Sequence, residues 1–146
     1  MSVRRHVLPI LVITLLASSF SLVDAQSPPP PPSPGRIVFA SSRDVGWEIF
    51  SMNADGSDPT NLTNNLNRAY DGEPSYSPDG MRIVFTSDRD GNWDIYSMNA
   101  DGSDPINLTN NSSYHSEASY SPDGTYIVFI SDRDGNREIY SMKADG

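Results

Sequence analysis

The chain has no cysteine, which excludes disulfides, thiolate metal centres and cysteine nucleophiles. Histidine is nearly absent too: His6 lies among the first few residues, and His115 is the other. No Gly-x-Ser-x-Gly sequence occurs, so the strained turn that presents a hydrolase serine is missing, and nothing sets a base beside a hydroxyl nucleophile. His115 falls in a segment, Asn110 to Ser116, that reads as a polar loop and predicts a solvent-facing side chain. The expectation is a protein without catalytic residues, not an enzyme. Positive charge is scarce as well. From residue 36 to 146 there are 18 Asp and Glu against 8 Lys and Arg, a net charge of −10. That argues against a nucleic-acid partner and suits solubility, cations or a basic partner. The 3.6-residue periodicity of an amphipathic helix is missing throughout.

What is present begins with an export signal. Met1 to His6 is a short basic head, Val7 to Val23 is an almost unbroken apolar run, and Val23-Asp24-Ala25 puts small residues at the −3 and −1 positions of a cleavage site. This order of parts predicts a signal peptide over 1–25, Gln26 as the mature N-terminus, and a periplasmic or extracellular destination. An uncleaved anchor is the other reading. Pro9, Ser18, Ser19 and Ser21 interrupt the run, however, and about 17 residues is the short limit for a span. No membrane span is expected once the signal is removed. Residues 26–35 follow as a linker in which Ser27 to Pro34 is nearly all proline. Such a stretch cannot join a hydrogen-bonded ladder and favours extended polyproline II, so it reads as a stiff spacer.

The rest of the chain, 36–146, is repetitive. Ile37-Val38-Phe39 recurs as Ile83-Val84-Phe85 and Ile127-Val128-Phe129, at spacings of 46 and 44 residues. Residues 37–65 and 83–111 agree at 22 of 29 positions, and 75–102 and 119–146 at 22 of 28. The two-residue difference in spacing falls within Leu66 to Gly72 and marks a loop. Inside the second unit, strands are expected over Glu73–Ser77, Arg82–Thr86, Trp93–Met98 and Ile106–Thr109, separated by turn formers at Pro78-Asp79-Gly80, Asp88–Asn92 and Ala100–Ser103. Four short antiparallel strands in 44 residues make one propeller blade. Ile83-Val84-Phe85 shows no polar alternation, as a strand buried on both faces between blades requires. The fold expected is all-β, a propeller repeat array of about two and a half four-stranded blades.

The run Ser-Asp-Arg-Asp-Gly-Asn-Trp-Asp-Ile-Tyr-Ser-Met-Asn-Ala-Asp-Gly (87–102), Asn107-Leu108-Thr109 and Tyr120-Ser121-Pro122-Asp123-Gly124 resemble the WD-like repeat of TolB propellers. The resemblance covers 36–146 in three consecutive units. The same blade type belongs to tricorn-type proteases and to the propeller domains of prolyl-oligopeptidase-like enzymes, so the resemblance implies the fold firmly and the function only loosely.

Two sets of oxygen-bearing residues at alternate positions are candidate calcium ligands: Asp88, Asp90, Asn92 and Asp94, and their repeats Asp132, Asp134, Asn136 and Glu138. Hard cations take several such oxygens on a compact loop. The first unit keeps only part of the set, in Ser42, Asp44, Gly46 and Glu48. A polar hairpin turn, with Asp and Asn bonding backbone N–H groups, accounts for the same spacing. No other cofactor is implied. Asn61, Asn107, Asn110 and Asn111 head glycosylation sequons, and Asn-Leu-Thr is also the expected outer-strand motif. Phe85, Tyr96, Phe129 and Tyr140 are expected in the core. Trp47 and Trp93 begin strands, and Arg137 stands at the same place in the third unit, which suggests a blade edge or a contact surface.

The function expected is an exported, non-catalytic scaffold that binds a protein or glycan ligand. The alternative is an accessory propeller domain of a prolyl-oligopeptidase-like or tricorn-like hydrolase. Strands number three, four and three across the units; Ser33-Pro34-Gly35 leads straight to Ile37 without an inner strand, and the sequence ends at Ala144-Asp145-Gly146. Propellers need about four blades at the least. A fragment of a longer propeller, or self-association through open blade faces, is therefore expected.

Overall fold

A computed structural model describes residues 35–146; the signal peptide and the proline-rich stretch up to Pro34 lie outside the described residues. Ten strands form: β1 (Arg36–Ser41), β2 (Glu48–Asn53), β3 (Thr60–Asn61), β4 (Asp71–Tyr76), β5 (Arg82–Ser87), β6 (Asp94–Asn99), β7 (Ile106–Asn107), β8 (His115–Tyr120), β9 (Tyr126–Ser131) and β10 (Glu138–Lys143). They build three antiparallel sheets in chain order, β1-β2-β3, β4-β5-β6-β7 and β8-β9-β10. These are the three, four and three strands that the turn formers predict.

The turns show why the chain reverses where it does. In Ser77-Pro78-Asp79-Gly80 the Ser77 hydroxyl donates to Asp79 Oδ1 at 2.6 Å, the same oxygen accepts the Met81 N–H at 3.0 Å, and Gly80 takes φ of 66°. Ser121 and Asp123 repeat the lock at 2.6 Å. In the outer strands, Asn-Leu-Thr acts as a clasp. Thr109 Oγ1 accepts the Ile95 N–H at 3.0 Å and donates to Asp94 Oδ1 at 2.7 Å, while Asn107 Oδ1 accepts the N–H groups of Thr109 and Asn110. Thr63, Glu48 and Asn61 do the same in the first unit. These side chains satisfy backbone groups past the two-residue outer strands, which are shorter than the four residues expected for Ile106–Thr109.

The sheets stack face to face as blades. In β5, Ile83 and Phe85 point to the first blade and join Ile49, Tyr96 and Met98 in one cluster, whereas Val84 points to the third and joins Ile95, Ile127 and Phe129 in another. All three residues of Ile83-Val84-Phe85 are fully buried, as the unbroken apolar run requires. The inner strands are also tied: Glu73 Oε2 accepts both the Thr86 hydroxyl and the Glu117 N–H, each at 2.8 Å. The inner strand of the second blade starts at Asp71, two residues before the expected Glu73. Its register shifts between Gly72 and Ser75, and Glu73 takes φ of 53° there, an irregularity that side-chain pattern alone does not reveal. Among the described residues no helix is long and apolar enough to cross a membrane.

Candidate functional site

Antiparallel pairing sends the β1–β2, β5–β6 and β9–β10 hairpins and both blade-to-blade connections to one end of the molecule. There the aromatic side chains stack in a continuous rim. Trp47 lies 6.1 Å from Tyr70 between ring centroids, Tyr70 lies 4.9 Å from Trp93, and Trp93 lies 5.9 Å from Tyr114. The Arg137 guanidinium closes the series 4.4 Å over the Tyr114 ring. Successive planes are tilted by 43–51°, the offset geometry that aromatic quadrupoles prefer. Trp47 is 47 % exposed, the three inner rungs are half-buried, and Arg137 is exposed. The rim thus crosses all three blades and keeps part of every ring open to solvent.

Backbone geometry sets the rungs. Asp71 N–H bonds the Trp47 carbonyl and His115 N–H bonds the Trp93 carbonyl, both at 2.9 Å. Gly72 matters here because a Cβ at that position would come within 2.2 Å of Tyr70 Oη; its absence lets the ring lie against Trp93. Trp47, Trp93 and Arg137 precede β2, β6 and β10 and sit in hairpins, not in strands as the pattern suggests. Tyr70 and Tyr114 escape sequence reading because the repeat slips by two residues just before Asp71. Their signal is their shared place directly before an inner strand.

Three of the eight acidic-hairpin residues, Asp88, Asn92 and Asp132, hold this rim in place. Asp88 Oδ1 accepts the Tyr70 N–H at 2.7 Å and Asp132 Oδ1 accepts the Tyr114 N–H at 2.8 Å, so each pins a rung. Asn92 donates to the carbonyls of Asn111 and Ser113, both at 2.7 Å, and holds the loop before Tyr114. Asp90 and Asp134 accept the hydroxyls of Tyr96 and Tyr140 at 2.5 Å. Burial and the Asp90 contact push the Tyr96 phenol above its usual value, and the Asp134 contact first, then burial, pushes Tyr140 up to about 12. Asp94 is taken by Thr109 and Asn107, and Asn136 donates to Glu138 at 2.8 Å. Among the described residues no three His, Cys, Asp or Glu side chains gather where one ion could sit.

The sequence model of the TolB beta propeller domain matches residues 16–109. The chain belongs to that family. Its fold is similar to a TolB-type protein of Agrobacterium tumefaciens, with 28% identity, a TM-score of 0.69, and coverage of 76% of this chain and 42% of that one. TolB of Acinetobacter baumannii gives 32% identity and a TM-score of 0.63 over 74% of this chain and 27% of that one. This TolB-family chain therefore spans less than half the length of either. The tricorn protease shares the fold alone, at 22% identity, with a TM-score of 0.54 over 77% of this chain and 11% of that one. Among curated proteins there is no match.

One residue of this TolB-family blade array is placed against expectation. His115 opens β8 and is fully buried, at 0 % exposure, instead of facing solvent from a loop. It occupies the place of Asp71 in the repeat, at the inner edge of the blade. Its Nε2 lies 3.0 Å from Asn111 Oδ1, its Nδ1 is buried without a partner, and its ring meets Phe129 edge-on at 5.7 Å. Burial, then the charge of Arg133, holds its pKa below the ordinary histidine value. The unfolded chain therefore takes up a proton that the folded chain resists. Stability from neutral His115 is complete above the unfolded pKa of about 6.5 and is lost as pH falls below it. The denaturation midpoint should drop from about pH 7.5 to about pH 5.5, and less steeply in His115→Gln. Identical pH profiles for the two proteins would remove His115 as the cause.

Proposed function

We propose that this chain is an exported, non-catalytic scaffold that binds a protein or glycan ligand on the aromatic rim Trp47–Tyr70–Trp93–Tyr114–Arg137. The observation that carries the reading is the unbroken, part-exposed stack across three blades. Aromatic rings offer large contact area at low conformational cost, and a guanidinium beside them adds a donor fork. The non-catalytic part is supported by His115, whose hydrogen-bond partner is the Asn111 side chain of the preceding loop and not a hydroxyl nucleophile. On this reading the described strands are one arc of a propeller, and the remaining blades of the ring lie outside them.

Both tryptophans of the chain stand in the rim, so intrinsic fluorescence reports on it directly. Titration with arrayed peptides and oligosaccharides should find ligands that quench or shift the emission, with affinity at least tenfold weaker, about 1.4 kcal/mol, in Tyr114→Ala. Ligands that bind Tyr114→Ala and Trp93→Ala as tightly as the parent would place the site elsewhere. The exported part is tested by the mass of the mature protein, which should begin at Gln26.

We further infer that the acidic hairpins are held by their own hydrogen bonds and need no calcium. Asp90 and Asp134 already accept tyrosine hydroxyls, and Asp94 is held by Thr109 and Asn107. Calcium at millimolar levels, typical of weak extracellular sites, should leave the melting temperature unchanged. A rise that vanishes in the Asp90→Ala, Asp134→Ala double variant would assign the cation to these turns.

A further inference from the structure

Two apolar sheet faces are left open by the described residues. On the third blade Ile139 is 82 % and Val128 40 % exposed; on the first, Ile37 is 41 % exposed, with Phe39 and Met52 half-buried beside it. Their repeat counterparts are all inside. Val84 and Ile95, which match Val128 and Ile139, are fully buried against Ile127 and Phe129 of the next blade. Ile83, Phe85 and Met98, which match Ile37, Phe39 and Met52, are buried against Ile49 and Val38 of the blade before. The chain thus makes the same interface twice. Each time an aliphatic Val–Ile pair from one blade sets into an Ile–Phe–aromatic–Met plate of the next.

Among the described residues the third blade carries a Val–Ile pair with no plate, and the first carries a plate with no pair. We propose that a second copy of this chain joins them head to tail, Val128 and Ile139 of one copy packing on Ile37, Phe39 and Met52 of the other. The two internal interfaces show that these side chains fit, since each open face is one half of a contact already made inside the chain. The contact is heterologous, one face type meeting another, and it repeats the rotation between neighbouring blades, so successive arcs advance around one axis. Burial of the Ile139 side chain, 82 % exposed in the single chain, would remove most of a large apolar group from water. The proposal stands apart from the rim reading, because the rim lies at the loop end and the open faces lie on the flanks of the arc.

Head-to-tail pairing has a signature that aggregation lacks. By sedimentation and light scattering the purified chain should show multiples of the protomer mass. Ile139→Asp spoils the pair and Ile37→Asp spoils the plate, so each variant alone should be monomeric while melting cooperatively. Mixed in equal amounts they should form a one-to-one dimer and nothing larger, because one variant keeps an intact plate and the other an intact pair. Met52→Glu replaces Ile37→Asp if that variant does not melt cooperatively. A wild-type monomer at every concentration, a single variant that still assembles, or a mixture that stays monomeric each overturns the proposal.

Discussion

Phe85→Ala is expected to cost roughly 3–5 kcal/mol, the range for emptying a buried aromatic site, and to leave the chain largely unfolded at moderate denaturant. Phe85 is fully buried at the centre of the middle blade and packs with Ile49, Ile83, Tyr96 and Met98. Its ring stacks on Tyr96 at 5.7 Å, and the Arg89 guanidinium sits against both rings, 5.1 Å from Phe85 and 4.8 Å from Tyr96. Truncation therefore opens a cavity between two blades whose strands are held by hydrogen bonds on both sides, so the site has little freedom to collapse. The repeat supplies an internal control. Phe39 holds the same position in the first blade and stacks on Phe50 at 5.8 Å, yet its face has no neighbouring blade among the described residues. Phe39→Ala should cost less than half as much as Phe85→Ala in a denaturant titration of the monomer. Equal losses at the two sites would mean that packing between blades does not hold this fold together.

That contrast explains what the sequence made legible. Strand number and order are local properties: Ser77-Pro78-Asp79-Gly80 and Asn53 to Gly56 encode their own turns through hydrogen bonds two or three residues away. Burial on both faces of Ile83-Val84-Phe85 is likewise readable, because a strand with no polar alternation has nowhere wet to point. The rim was not readable as a unit. Trp47 and Trp93 repeat in register, but Tyr70 and Tyr114 stand in connections where the spacing changes, and the stack exists only because consecutive blades bring them together. The partners of the acidic hairpins were hidden for a related reason: oxygen atoms at alternate positions suit a cation or a turn equally in one dimension, and Asp88 and Asp132 accept from backbone groups 18 residues away. His115 is the clearest case. Its neighbours are polar, so it reads as a loop residue, whereas aligning it with Asp71 places it at the start of an inner strand, where packing buries whatever residue stands there.

Arg89→Ala is expected to destabilise the chain by about 3–5 kcal/mol, as removal of one partner from a buried ion pair does. Arg89 donates to Asp71 Oδ1 at 2.8 Å, and Asp71 is fully buried, with its second carboxylate oxygen lacking a partner. The guanidinium also lies 4.8 Å over the Tyr96 ring and donates from Nε to Ser87 Oγ at 3.0 Å. Its loss leaves a carboxylate deep in the blade with no countercharge, and that uncompensated charge dominates over the lost stacking. The third unit isolates the two contributions. Arg133 keeps the same stacking, 5.2 Å from Phe129 and 4.5 Å from Tyr140, and the same Nε bond to Ser131 at 3.2 Å, but the residue it faces is His115 instead of an aspartate. Arg133→Ala therefore removes stacking without stranding a carboxylate, and should cost only roughly 0.5–1 kcal/mol. Relief of its repulsion on a protonated His115 offsets part of that cost at acidic pH. If both arginine variants lose the same stability at neutral pH, the Asp71 carboxylate is not what Arg89 holds in place. The double variant Arg89→Ala, Asp71→Asn should recover a large part of the Arg89→Ala loss, because it takes away the stranded charge along with its partner.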